Sequence, residues 1–152
     1  ALVIGIDSYT EHSVLTASVL DAKAIMTFLK SIGVPNWNII ELHNEGATFD
    51  GILKGFEALS RRSNIRKGRS TILIYFSGHG TSDYKSALPR DQERYWSGWE
   101  ENVIEQILPQ DVGRMPSIPD RMVAAWLNKL AKEKSDNVIL MLDCCYSAGM
   151  TR

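Results

Sequence analysis

The chain has 152 residues, a net charge of −1, and ordinary proportions of apolar (44%) and charged (23%) residues. This length fits one globular domain, and the even charge balance argues against binding to nucleic acid or to an anionic membrane surface. No apolar run approaches the roughly 20 residues that a membrane-spanning helix requires. The two cysteines, Cys144 and Cys145, are adjacent, which is poor geometry for a structural disulfide. We therefore expect a reduced, cytoplasmic protein without nucleic-acid or membrane partners.

Strand and helix patterns alternate through the first eighty residues. Strands are expected where apolar residues run without polar relief, and helices where they recur every three or four positions. In chain order, the patterns predict a strand at 1–7, a helix at 15–31, a strand at 38–42, a helix capped by Thr48 or Asp50, and a strand at 71–76. This β-α-β-α-β order predicts the α/β fold class, with a mainly parallel sheet flanked by helices.

The second half of the chain is less regular. Residues 81–117 carry several prolines and glycines, and a segment this long is either functional or partly structured, so we expect a hairpin there. A helix is predicted from Asp120, followed by a strand at 137–142. That strand is apolar throughout, which is typical of burial on both faces. If nothing pairs with it on both sides, a missing partner segment is expected, because an open apolar edge would aggregate.

Two predicted strands end in residues that can perform nucleophilic catalysis. The strand at 71–76 is followed by Ser-Gly-His-Gly at 77–80, and the strand at 137–142 by Asp-Cys-Cys at 143–145. Ligand sites of open α/β sheets usually lie beyond such strand ends. An imidazole near a thiol promotes the thiolate and can pass a proton to a leaving amine. Taken alone, the histidine would be interpreted as a hydrogen-bonded loop residue, and the cysteines as buried core residues. The combination favours a Cys–His pair.

The segments 76–80 and 143–147 resemble the catalytic motifs of metacaspases, within the caspase-like cysteine peptidases. The resemblance covers nearly all of residues 1–152 and matches the large, p20-like subunit. It implies a three-layer caspase-like sandwich, a polypeptide substrate, and a small, p10-like subunit or C-terminal segment as partner. By the same resemblance, Cys145 is the nucleophile and His79 the acid–base. The backbone N–H groups of Gly80 and Cys145 would form the oxyanion hole.

The resemblance also implies a pocket for a basic substrate residue. Positions matching Asp21 and Asp143 line the S1 pocket of metacaspases, with Ser77 and Ser18 nearby. Two carboxylates in a partly desolvated pocket favour a Lys or Arg side chain and reject an acidic one. Cleavage after Arg or Lys is therefore predicted; for Asp21 the alternative is a solvated helix residue. The terminal Arg152 fits self-processing after arginine, and an arbitrary boundary is the alternative.

The catalytic chemistry needs no cofactor, but many metacaspases are activated by Ca²⁺ through acidic residues that follow the catalytic histidine. The candidate metal ligands here are Asp111 and Asp120, although no loop spaces its acids as an EF-hand does. His12 and His43 lack partners at ligand spacing and are interpreted as surface residues.

Two other interpretations stay open from the sequence. A catalytically silent caspase-like signalling or scaffold module would share the same fold. A nucleotide-binding, flavodoxin-like domain would need a phosphate site, but neither a G-x-G-x-x-G motif nor a P-loop is present. The chain begins at Ala1, inside a predicted strand, so we also expect it to be a piece of a longer protein.

Overall fold

The alternating patterns of the sequence form the strands and helices of an α/β fold. The computed structural model describes residues 1–84 and 103–144. The elements are β1 (Leu2–Gly5), α1 (Ser18–Ser31), β2 (Ile40–His43), α2 (Phe49–Arg61), β3 (Ile72–Ser77), β4 (Gly80–Tyr84), β5 (Val103–Ile107), β6 (Ile118–Pro119), α3 (Asp120–Glu133) and β7 (Val138–Asp143). The predicted order is confirmed. Thr48 is the residue that caps α2, accepting a hydrogen bond of 3.0 Å from the Gly51 N–H.

Four strands form a parallel sheet in the order β2-β1-β3-β7. Gly5 at the end of β1 pairs with Ser77 of β3, and Ser77 pairs in turn with Asp143 of β7. The carboxyl ends of all four strands therefore lie at one edge. Since β2 and β3 lie on opposite sides of β1, the loops after β1 and β3 border a crevice of the kind that binds ligands in α/β proteins.

Helices cover both faces of this sheet, which confirms the predicted three-layer arrangement. On one face, α1 encloses the smaller core cluster of Val3, Ala22, Met26, Leu29 and Tyr75. On the other face, α2 and α3 enclose the larger cluster. In the described residues, no helix is both long enough and apolar enough to cross a membrane.

Gly5 allows α1 to cross directly over the end of β1. A Cβ atom at Gly5 would lie 2.6 Å from the Ser18 carbonyl oxygen and 2.7 Å from the Ala22 Cβ, closer than such atoms approach. The Asp7 carboxylate accepts hydrogen bonds from the Ser18 N–H (2.9 Å) and the Val19 N–H (3.3 Å). Because Asp7 binds these two donors, α1 begins at Ser18, later than its apolar pattern predicts.

Strands β4, β5 and β6 form a separate antiparallel sheet immediately after His79. Gly80 pairs with Ile107, and Tyr84 pairs with Val103. The expected hairpin within 81–117 is thus confirmed at its base. The aromatic residues at 95, 96 and 99 lie outside the described residues.

β7 is the edge strand of the parallel sheet in the described part of the chain. Ile139, Met141 and Leu142 are 46, 43 and 40% exposed, so the prediction that this strand is buried on both faces is wrong for the described residues. The physical reason is that β7 pairs, among the described strands, only with β3, along one of its two edges. The sequence predicts a partner segment if this apolar strand does not pair on both sides, and the described residues meet that condition.

Candidate active site

His79 lies in the short loop between β3 and β4, at the crevice beyond the strand ends. Its ring nitrogen Nε2 lies 2.9 Å from the carbonyl oxygen of Ser13 and 3.3 Å from the Ser13 hydroxyl. A carbonyl oxygen can only accept a hydrogen bond, so Nε2 carries the hydrogen when the ring is neutral. This leaves Nδ1 as the basic nitrogen, able to take a proton from a neighbouring group.

The main chain of His79 is held from two sides. Its N–H donates to the phenol oxygen of Tyr9 at 2.7 Å, and its carbonyl accepts from the Leu108 N–H at 3.0 Å. Tyr9 is only 9% exposed, and its ring centroid lies 4.8 Å from that of His79. A Cβ at Gly78 would lie 2.5 Å from the Tyr9 hydroxyl, so glycine is required there for this contact. The position of the imidazole therefore depends on the loop after β1 and on the segment after β5.

Gly80, a predicted oxyanion-hole residue, is the first residue of β4. The bond from the Leu108 N–H to the His79 carbonyl joins the residues that flank the Gly80–Ile107 pair. Hydrogen-bonded and non-hydrogen-bonded pairs alternate in an antiparallel ladder, so the Gly80 N–H points away from β5. This orientation leaves the N–H outside the ladder, as an oxyanion donor requires.

The predicted nucleophile and second oxyanion donor, Cys145, lies outside the described residues. Its neighbour Cys144 follows β7, is half-buried, and packs against the larger core cluster. Burial is the main cause of the raised pKa of Tyr9; the hydrogen bond with the His79 N–H opposes the shift, and negative charge at Cys144 and Asp7 adds to it. The Gly78 N–H also donates to the Asp143 carbonyl at 3.3 Å. The end of β7, with Asp143 and Cys144, thus reaches the same crevice as the His79 loop.

The four predicted S1 residues lie together at the carboxyl end of the sheet, on the face that α1 covers. Ser77 and Asp143 are register partners in neighbouring strands, so their side chains point to the same face. Ser18 lies over Gly5, which is the partner of Ser77 on its other side. Asp21 follows one turn later on α1, where it is half-buried. All four residues therefore lie on the α1 side of this end of the sheet.

Tyr75 lies beside these acidic and hydroxyl residues, although it belongs to no motif in the sequence. Its hydroxyl donates to Asp143 Oδ2 at 3.3 Å, and the side chain is only 5% exposed. Burial raises the pKa of Tyr75, with smaller contributions from the carboxylates of Asp143 and Asp21 and an opposing hydrogen bond with Ser77. Tyr75 lies two residues before Ser77 on β3 and therefore on the same face, which is the pattern that could have identified it.

A family model described as the caspase domain matches residues 1–152, the entire chain. The chain belongs to the caspase-domain family. Members of this family are cysteine peptidases, and the α/β fold with its mainly parallel sheet agrees with the assignment.

No curated protein sequence matches this caspase domain significantly. Among solved structures, the crystal structure of protein GSU0716 from Geobacter sulfurreducens is similar, with a TM-score of 0.66 and 17% sequence identity. The alignment covers 95% of this chain and 49% of that one, so the caspase domain spans about half the length of that protein. At this level of identity, the likeness concerns the fold alone.

The two candidate calcium ligands of this caspase domain have structural partners. Asp111 Oδ1 accepts a hydrogen bond of 2.8 Å from the Phe49 N–H at the start of α2. Asp120 begins α3, and its Oδ1 accepts from the Arg121 N–H at 2.6 Å. Within residues 1–84 and 103–144, no three His, Cys, Asp or Glu side chains gather to hold a metal. Ca²⁺ prefers six to eight oxygen ligands, and calcium activation stays a prediction.

Neither of the two other histidines of the caspase domain is an isolated surface residue. His12 is exposed, but its ring centroid lies 6.3 Å from that of Tyr9 and 5.9 Å from that of His79. His43 is only 17% exposed, and its Nδ1 lies 3.0 Å from a Glu41 carboxylate oxygen. The interpretation as surface residues is therefore wrong for His43. For His12 it misses the proximity to His79.

Proposed function

We propose that this caspase domain is the large subunit of a metacaspase-type cysteine endopeptidase that cleaves polypeptides after Arg or Lys. The observation that supports the activity best is the environment of His79. Ser13 holds Nε2 and Tyr9 holds the main chain, so Nδ1 is the nitrogen available as general base. The proposal places Cys145 opposite that nitrogen, because β7 ends beside β3. A catalytic thiol of this kind fits a reducing, cytoplasmic site of action.

In the proposed mechanism, the Cys145 sulfur attacks the scissile carbonyl carbon while its proton moves to His79 Nδ1. The oxyanion that forms accepts hydrogen bonds from the backbone N–H groups of Gly80 and Cys145. When the tetrahedral intermediate collapses, the C–N bond breaks and the leaving amine takes the proton from His79. A water molecule, deprotonated by His79, then hydrolyses the thioester and the thiol is restored.

The proposed specificity rests on the carboxylates of Asp21 and Asp143 near the crevice. Asp21 and Asp143 share one face of the sheet end with Ser77 and Ser18. A guanidinium or ammonium group would bind both carboxylates, whereas an acidic side chain would be repelled by them.

Within the described residues β7 pairs only with β3, and this supports a p10-like segment as partner on its other side. Ile139 and Met141 face the α1 side of the sheet, since their register partners are Leu73 and Tyr75. A strand added beyond β7, with an element covering this face, would bury both side chains. An endopeptidase that prefers basic residues is also expected to process itself, at sites that mass spectrometry of the purified protein would locate.

The proposal is tested on the complete protein with fluorogenic peptides that differ only in an Arg, Lys or Asp at P1. We expect hydrolysis after Arg and Lys, abolished by Cys145→Ala and by His79→Ala. Asp21→Asn and Asp143→Asn should each lower kcat/KM for basic peptides by roughly 10- to 100-fold, the cost of losing a charge-assisted hydrogen bond. Preferential cleavage after Asp would contradict the proposed specificity.

The alternative function, a catalytically silent caspase-like scaffold, is distinguished by the same proteins. A silent module would leave all three peptides intact under every activating condition. A substrate-like inhibitor that alkylates Cys145 and abolishes hydrolysis in parallel supports the enzyme instead.

A further inference from the structure

Asp143 occupies a position where its carboxylate would have little to orient it. It is the last residue of the edge strand β7, and its side chain is exposed. In the described part of the chain, the hydrogen-bond donor that reaches this carboxylate is the Tyr75 hydroxyl, at 3.3 Å from Oδ2.

Tyr75, in contrast, lies in one of the most constrained parts of the molecule. β3 pairs with β1 on one side and with β7 on the other. The Tyr75 ring belongs to the core cluster beneath α1, with Val3, Ala22 and Met26 among its members. Its hydroxyl therefore has a fixed position near the carboxyl end of the sheet, on the face that α1 covers.

The single proton of the Tyr75 hydroxyl is directed to Asp143. The Asp143 carboxylate oxygen can only accept, so in the 3.3 Å contact the phenol hydroxyl is the donor. Because burial raises the pKa of Tyr75, the phenol stays neutral and adds no charge to the site.

We propose that Tyr75 is a positioning residue for substrate specificity, which holds one oxygen of Asp143 so that the other faces the P1 side chain, and that it favours Arg over Lys at P1. This inference rests on the proposed function. A planar guanidinium needs a carboxylate in a defined orientation to form paired hydrogen bonds, whereas an ammonium group rotates freely and tolerates a mobile partner.

The test is Tyr75→Phe in the complete protein, measured with the Arg and Lys peptides. Phenylalanine keeps the buried ring, so the fold should persist. We expect kcat/KM for the Arg peptide to fall by about five- to tenfold, mainly through KM, and that for the Lys peptide by less than about twofold. The rate at which iodoacetamide alkylates Cys145 should not change, because this reagent does not use the S1 pocket.

A double-mutant cycle with Asp143→Asn shows whether Tyr75 acts through Asp143. If it does, adding Tyr75→Phe to Asp143→Asn should have no further effect on the Arg-to-Lys ratio. Equal losses for both peptides, or an effect that persists without the Asp143 carboxylate, would overturn the inference while the proposed function stands. A wild-type protein that cleaves neither basic peptide would overturn the proposed function, and this inference with it.

Discussion

The Nε2 atom of His79 lies 2.9 Å from the carbonyl oxygen of Ser13, so a main-chain acceptor fixes the tautomer of the candidate catalytic imidazole. In a protease of this type, no side chain is then required as the third member of the catalytic group. The Ser13 hydroxyl is also near, at 3.3 Å, but a longer contact to a rotatable group is weaker.

Ser13→Ala should therefore be nearly silent. The substitution removes the hydroxyl and retains the carbonyl, so kcat/KM is expected to change by less than about threefold, within the scatter of surface substitutions. Steady-state kinetics on the basic peptides measures this. A loss above tenfold would identify the hydroxyl as the true partner of Nε2.

Tyr9→Phe should weaken the support of the His79 main chain. It leaves the partly buried His79 N–H without its acceptor, which costs about 1–3 kcal/mol of stability. We expect a lower kcat with KM nearly unchanged, because the S1 residues lie on other elements. Urea unfolding and steady-state kinetics report the two effects separately. Unchanged stability would mean that another acceptor replaces the phenol oxygen.

The stability of the protein should depend on Tyr9 at alkaline pH. Burial raises the pKa of Tyr9 above the ordinary value near 10, so the unfolded chain loses this proton at a lower pH than the folded chain. The contribution is complete below about pH 10 and declines as pH rises further, by at most about 1.4 kcal/mol per pH unit. Tyr75 shifts in the same direction.

The measurement for this effect is denaturant unfolding of wild type and Tyr9→Phe between pH 8 and pH 11. The stability advantage of the wild type should shrink as pH rises, because only the wild type carries the Tyr9 proton. A constant difference across the range would show that Tyr9 titrates equally in both states.

Gly5→Ala should separate α1 from the end of β1. The new methyl group would lie 2.6 Å from the Ser18 carbonyl oxygen, and main-chain atoms cannot move aside as a flexible side chain can. Overpacking of this kind costs about 1–3 kcal/mol or more, and activity on basic peptides should fall because Ser18 and Asp21 shift. Gly46→Ala is the matched control, since a Cβ there meets no atom of residues 1–84 or 103–144 within 4 Å.

Ile139→Lys should destabilise the complete protein if a partner segment covers β7. Ile139 is 46% exposed in the described chain, but a lysine there would become a buried, unpaired charge beneath a partner, at a cost of about 3–5 kcal/mol. Leu20→Lys is the control because Leu20 is 64% exposed on α1. Equal and small effects of both substitutions on thermal unfolding would argue that β7 is the edge strand of the complete protein too.

The fold was largely predictable from the sequence because its strands and helices have clear apolar periodicity. The position of His79 followed from the same reasoning, since it lies directly after a buried strand. What could not be predicted are contacts made by side chains that carry no motif. Tyr9 and Ser13 reach His79 only because β1 and β3 are neighbours, and strand order is not encoded in local periodicity. The exposure of β7 likewise depends on what pairs with it, which an apolar run cannot reveal.

The paired base of the β4–β5 hairpin has a consequence for protein engineering. The ladder closes at Gly80 and Ile107 beside His79 and extends outward to Tyr84 and Val103. Everything between those outer residues enters and leaves through two hydrogen-bonded strands. A graft spliced at Tyr84 and Val103 in place of the interval 85–102 would therefore leave the paired strands, and the imidazole beside them, where they are.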